Sequence, residues 1–184
     1  MDTKEISPSL KKELLPGEEI LWRGSTEKRA VKNPDTEKKL ITRWIVCAVI
    51  YVGTLIAYTS VLKGGEVEFN WAVAGAFTLL LGFICAEPFL TAKKVIRKFS
   101  YYVTDRRVIV DGAELQLLNR AGLKMRIHDH GDGCETWLFG SSVDLKPSEF
   151  PDAPITPGRS DDNSIIGSTF YHIKKDKALN KLFF

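Results

Sequence analysis

The sequence predicts an α+β membrane protein, a two-helix transmembrane hairpin carrying a cytoplasmic domain of antiparallel sheet or small β-barrel with a C-terminal helix. Three observations predict it. Residues 44–62 and 69–86 are two apolar runs without a single Lys, Arg, Asp or Glu. As helices of 19 and 18 residues they would each reach about 28 Å, close to the hydrocarbon thickness of a bilayer. After Lys98 the apolar period changes from helical to alternating, the signature of strands. Finally, Lys and Arg crowd the outer flanks of both runs, while the connection between them holds only Lys63 beside Glu66 and Glu68.

Residues 1–43 read as a cytoplasmic N-terminal segment with a short strand. Pro16-Gly17 is a turn signal, Glu19 to Gly24 is strand-like, and the Leu21-Trp22 pair is expected to dock on the later domain rather than face water. Asn33-Pro34-Asp35 is expected to interrupt any helix before the membrane. With no apolar stretch in the first 30 residues, the sequence predicts no cleavable signal peptide, and the first apolar run itself directs insertion.

Residues 44–92 are the hairpin. The six residues after Leu62, Lys63 to Glu68, suffice to turn the chain, so the helices are antiparallel. Flanking Lys28, Arg29, Lys32, Lys38, Lys39 and Arg43 on one side, and Lys93, Lys94, Arg97, Lys98, Arg106 and Arg107 on the other, place both termini in the cytoplasm by the positive-inside rule. Trp44 and Phe89 mark the cytoplasmic boundary, and Tyr58, Phe69 and Trp71 the opposite one. Gly53 with Ala57, Ala72 with Ala76 and Gly82 with Ala86 are small pairs expected to pack the hairpin together or to meet a partner helix. Glu87 is expected to be balanced by water and by Lys93 and Lys94. Polar groups at mid-span are limited to Thr54 and Thr78, which argues against a transport pathway.

Residues 93–184 are the β domain. Strands are expected over 99–104, 107–110, 113–118, 123–128, 135–139 and 143–145, followed by a long proline-rich loop at 146–164, mobile or functional. After residues 165–173 the chain should close in a helix with Leu179, Leu182 and Phe183 on one face, capping an open end of the barrel.

Leu14-Leu15-Pro16-Gly17-Glu18-Glu19-Ile20-Leu21-Trp22-Arg23-Gly24, two spans, and then Tyr102-Val103-Thr104-Asp105-Arg106-Arg107-Val108 form an ordered set. In that order they resemble the bacterial membrane-anchored pleckstrin-homology-like family. The resemblance implies a bent antiparallel barrel with a C-terminal helix, a place in the bacterial cytoplasmic membrane with several passes, and binding or assembly work rather than catalysis. The long stretch 129–164 departs from the family pattern.

Chemistry-bearing motifs are sparse. The net charge of +3 is too small to point to nucleic acid. Walker, HExxH, nucleophile-elbow and dinucleotide motifs are absent from the sequence, so no catalytic residue or cofactor is assigned. Cys47, Cys85 and Cys134 form no CxxC pair and read as small buried filler. His128-Asp129-His130 with Asp132 and Cys134 is the constellation nearest to a metal site, because alternate strand residues share a face. Its Asp-His-Gly-Asp-Gly run reads instead as a solvated hairpin turn, and no metal ligand is assigned.

Lys93, Lys94, Arg97, Lys98, Arg106 and Arg107 are the candidate contacts to anionic lipid, each contributing about 1 kcal/mol at such a surface. Alternation should send Arg106 and Arg107 in different directions. The expected function is a non-catalytic scaffold or assembly factor that recruits a membrane-protein partner beside the bilayer. An anionic-lipid surface sensor is the alternative, with a membrane-bound enzyme ranked last.

Overall fold

A computed structural model describes residues 8–28, 30, 34–63, 71–150 and 152–184. The predicted turn at 64–68 and the aromatic Phe69 lie outside the described residues, as do Arg29 and Lys32. In chain order the elements are α1 (Pro8–Glu13), β1 (Ile20–Ser25), α2 (Pro34–Lys63) and α3 (Trp71–Lys98), followed by strands β2 (Ser100–Thr104), β3 (Arg107–Asp111), β4 (Leu115–Asn119), β5 (Met125–Asp129) and β6 (Cys134–Gly140). Then come β7 (Gly158–Arg159), β8 (Ile165–Lys174) and α4 (Lys177–Phe183).

The strands form two antiparallel sheets of four, ordered β1-β2-β3-β4 and β5-β6-β8-β7. The expected barrel is not closed: β1 and β4 are edges of one sheet, β5 and β7 of the other. Alternation along β2, β3, β6 and β8 supplies a shared core of Tyr101, Val103, Val108, Val110, Trp137, Phe139, Phe170 and Tyr171. On the outer face of the first sheet, Leu10 of α1 packs on Tyr102 and Ile109.

The predicted docking holds for the strand and for Trp22, which is buried, but not for Leu21, which points away from the core and is exposed. β1 pairs antiparallel with β2, Arg23 opposite Tyr102. Trp22 stacks on Phe170 with ring centroids 5.8 Å apart, and its Nε1–H donates to Asp176 at 2.8 Å. A Cβ on residue 24 would overlap that indole, which is why glycine follows the Trp-Arg pair.

α4 takes its start from Asp176, whose carboxylate also accepts the Ala178 N–H at 2.8 Å. Its Leu179 is fully buried, and Phe183 lies 5.2 Å from Trp137 between ring centroids. The helix covers the core between the sheets, as the apolar spacing of 179, 182 and 183 predicts.

Several expectations are corrected. Residues 143–145 do not form a strand; Ser141–Asp144 is a 3-10 turn. The proline-rich stretch 146–164 contributes to the core and is not simply a surface loop. Phe150 is fully buried, and Gln116 joins the Pro154 carbonyl to the Ser168 hydroxyl through two 2.7 Å hydrogen bonds. Pro34 opens a helix and does not break one, at the first turn, where its missing N–H leaves no bond unmade.

α2 and α3 lie side by side and antiparallel. Arg43 pairs with Glu87 at 2.6 Å, Trp44 and Phe89 approach to 5.8 Å, and Tyr51 meets Thr78 at 3.3 Å. Glu87 is thus balanced by Arg43 and not, as expected, by Lys93 and Lys94. A Cβ on Gly53 or Gly82 would meet nothing within 4 Å, so these positions do not bring the two helices together. Cys47 and Cys85 are half-buried and Cys134 is buried, and none of the three forms a disulfide.

Leu40–Ser60 of α2 is long and apolar enough to cross a membrane, with mean hydropathy 2.0 and 6% of it buried. α3 bends by 48° between Trp71–Glu87 and Phe89–Lys98 and passes the same test if taken as one broken span. Residue 88 is proline, which has no N–H for the helical ladder. Beyond the bend, Val95 is fully buried in the β-domain core, so the last turns of α3 join directly onto the strands.

Candidate functional site

Residues 14–24 and 102–108 meet in space. Glu18, with its side chain fully buried, forms an ion pair with Arg107, whose Nε–H donates to Glu18 Oε1 at 2.9 Å. The Thr104 hydroxyl donates to the same oxygen at 2.7 Å, and the Leu15 N–H to Oε2 at 2.9 Å. The Arg107 guanidinium, helped by these hydrogen bonds against the cost of burial, holds the Glu18 carboxyl at about 2. The pair is an internal clamp between the N-terminal stretch and the β2–β3 turn. Arg107 is therefore committed within the chain, which corrects its place among the candidate lipid contacts. Arg106 points elsewhere, as alternation predicts: its side chain is half exposed and lies 3.4 Å from Asp105.

The remaining predicted lipid contacts, Lys93, Lys94, Arg97 and Lys98, are exposed. They surround Val95, which is buried, and Ile96, which packs against the core. The helical period thus turns the charges outward and the aliphatic side chains inward.

The histidine-rich turn is less solvated than its composition predicts. His128 and His130 share a face, with ring centroids 5.0 Å apart, and Phe150 lies 5.1 Å from His128. His130 and Cys134 are buried. Asp132 stays at the rim, one oxygen accepting the Cys134 N–H at 3.0 Å and the other meeting His172 Nε2 at 3.0 Å. Burial pushes the Asp132 carboxyl up, but the Cys134 N–H and the neighbouring His172 outweigh it and leave it below the usual carboxylate range.

Donor atoms of Asp132, Cys134 and His172 lie within 4.8 Å of one another. Sequence reasoning missed His172, which is 40 residues from Asp132 and sits in a strand read only as the end of the domain. A bulge brings it there. Glu135 pairs with Ile173 and Trp137 with Phe170, so Tyr171 and His172 together face Thr136. His172 adopts φ 48°, its N–H donates to the Thr136 hydroxyl at 3.0 Å, and its carbonyl accepts the Glu27 N–H at 2.9 Å. The Thr136 hydroxyl also meets His130 Nε2 at 2.7 Å.

A groove of about 430 Å³ opens between Trp22 to Ser25 on β1 and Lys174 to Asp176 before α4. With the fold and these sites described, comparison with known proteins assigns no family: no family model, curated protein or solved structure matches the chain.

Proposed function

We propose that this chain is a membrane-anchored, non-catalytic scaffold or assembly factor. In this reading α2 and α3 form a transmembrane hairpin, and a pleckstrin-homology-like domain recruits a partner at the cytoplasmic face of a bacterial inner membrane. The apolar surface of α2 carries the proposal. Leu40–Ser60 is 6% buried, and Val49 and Ile56 are 67% and 61% exposed. A soluble core helix of that hydropathy would bury its stripe; this one is apolar around its circumference and fits hydrocarbon. Antiparallel pairing with α3, and basic residues outside both runs, supports two spans with both termini on one side. Two four-stranded sheets with a short C-terminal helix over their core support the pleckstrin-homology-like reading, in open rather than closed form.

Recruitment would work through confinement, because tethering raises the effective concentration of the β domain for neighbours in the same membrane. The test has two arms on the full chain. Carbonate extraction of membranes should leave it in the pellet, and protease should reach a C-terminal tag only after the cytoplasmic face is opened. Release by carbonate, or a tag cleaved from outside, would reject the topology. Crosslinking in native membranes should then recover a stoichiometric membrane-protein partner, and a chain recovered alone would reject the scaffold.

The outward Lys93, Lys94, Arg97 and Lys98 favour a second reading, an anionic-lipid sensor. In nanodiscs this reading predicts slower hydrogen exchange around residues 93–98 with anionic than with neutral lipid. Equal exchange in both would dispose of it.

A further inference from the structure

The turn between β5 and β6 and the bulge in β8 assemble a soft-donor cluster that the membrane reading does not use. We infer that Asp132, Cys134 and His172 bind one divalent transition-metal ion of the zinc class.

The donors have the right chemistry. Carboxylate, imidazole nitrogen and thiolate are the three ligand types zinc takes, at about 2.0–2.3 Å from the metal, which puts neighbouring tetrahedral donors roughly 3.6 Å apart. Here all three donors lie within 4.8 Å of one another, so small side-chain rotations close the site. A thiolate and a carboxylate balance a dication, and the ion can enter a buried place without leaving net charge behind. The thiol proton leaves to solvent as the Cys134–metal bond forms. Thiolate and imidazole select zinc-like ions over magnesium and calcium.

Beyond the donor geometry, one observation points to a ligand. His172 is fully buried, and among the described residues its Nδ1 has no hydrogen-bond partner. Buried polar atoms are rarely left so. The same residue holds a left-handed backbone, φ 48°, which a side-chain-bearing residue seldom adopts. Bulges re-aim side chains, and this one aims an imidazole at a thiol and a carboxylate. Supporting contacts are already in place: the Cys134 N–H on Asp132 and the Thr136 hydroxyl under the His172 backbone. Asp132, with 19% of its side chain exposed, provides the open side for entry and for a fourth ligand.

The experiment is cobalt(II) titration of the full chain in detergent, after chelation, with zinc competition. One cobalt per chain, a thiolate-to-cobalt charge-transfer band in the near ultraviolet, and displacement by zinc but not magnesium are expected. Cys134→Ser should abolish the band, Asp132→Asn should weaken binding by about tenfold or more, and the double variant Cys47→Ser/Cys85→Ser should keep the band. Tryptophan emission verifies that each variant is folded. Should a variant not fold, the wild-type chain still decides, because zinc but not magnesium must then raise its unfolding temperature. A folded wild-type chain without the band, or a band that survives Cys134→Ser, overturns the inference.

Discussion

Glu18 and Arg107 join stretches of the chain that the two long helices separate, and the cost of burying a carboxyl is offset by several donors aimed at it. Its pKa falls from an ordinary 4.5 to about 2, so the ionised form is favoured in the folded state. The stability this contributes is fully present above pH 4.5 and disappears as pH falls towards 2, about 3 kcal/mol in all. Acid titration of the full chain followed by tryptophan emission should show that loss, and Glu18→Gln should be weaker at neutral pH with a flatter profile between those limits. Asp176 has two duties, accepting from Trp22 and from the first turn of α4. Asp176→Ala should cost about 2 kcal/mol in denaturant melts, a cap plus a side-chain hydrogen bond. Asp176→Asn, which keeps an acceptor for one of them, should cost less.

α4 has only seven residues, too few to be stable alone. Packing sustains it. Leu179→Ala should therefore destabilise the β domain by about 2–5 kcal/mol, the usual result of emptying a leucine site in a close-packed core. A loss below about 1 kcal/mol would show that α4 frays from the sheets. Strand positions were legible because alternation and turn residues are local signals: Asp105-Arg106, Asp111-Gly112 and the glycines around Asp132 punctuate the runs as expected. Residues 143–145 were misread because three residues carry no period, and Gly140 leads instead into a 3-10 turn. The proline-rich stretch hid Phe150, a lone aromatic whose destination depends on a cavity made by other strands.

Across the molecule, α3 continues past its 48° bend to bury Val95 in the β-domain core, so the long helix runs directly into the β domain. In the proposed membrane reading, that directness would hold the β domain at a fixed height above the bilayer. Replacing Val49 and Leu79, 67% and 77% exposed, by arginine distinguishes environments. In hydrocarbon each change should cost about 2.5–3.5 kcal/mol near mid-span and reduce the membrane-inserted fraction. In water the same changes would leave stability nearly unaltered and improve solubility. Carbonate-resistant yield, compared with the unaltered chain, reads out the difference.

By itself the sequence determined what depends on neighbours along the chain: two apolar helices, basic flanks, most strands and the amphipathic last helix. It also marked Glu18 and Arg107 as parts of recognisable stretches. Their union, the opening of the expected barrel into two sheets, and the convergence of His172 on Asp132 and Cys134 were decided by tertiary structure. The physical reason is common to all three. Closure, a buried ion pair and a bulge each depend on the register between segments far apart in sequence, and no local period or spacing encodes that register.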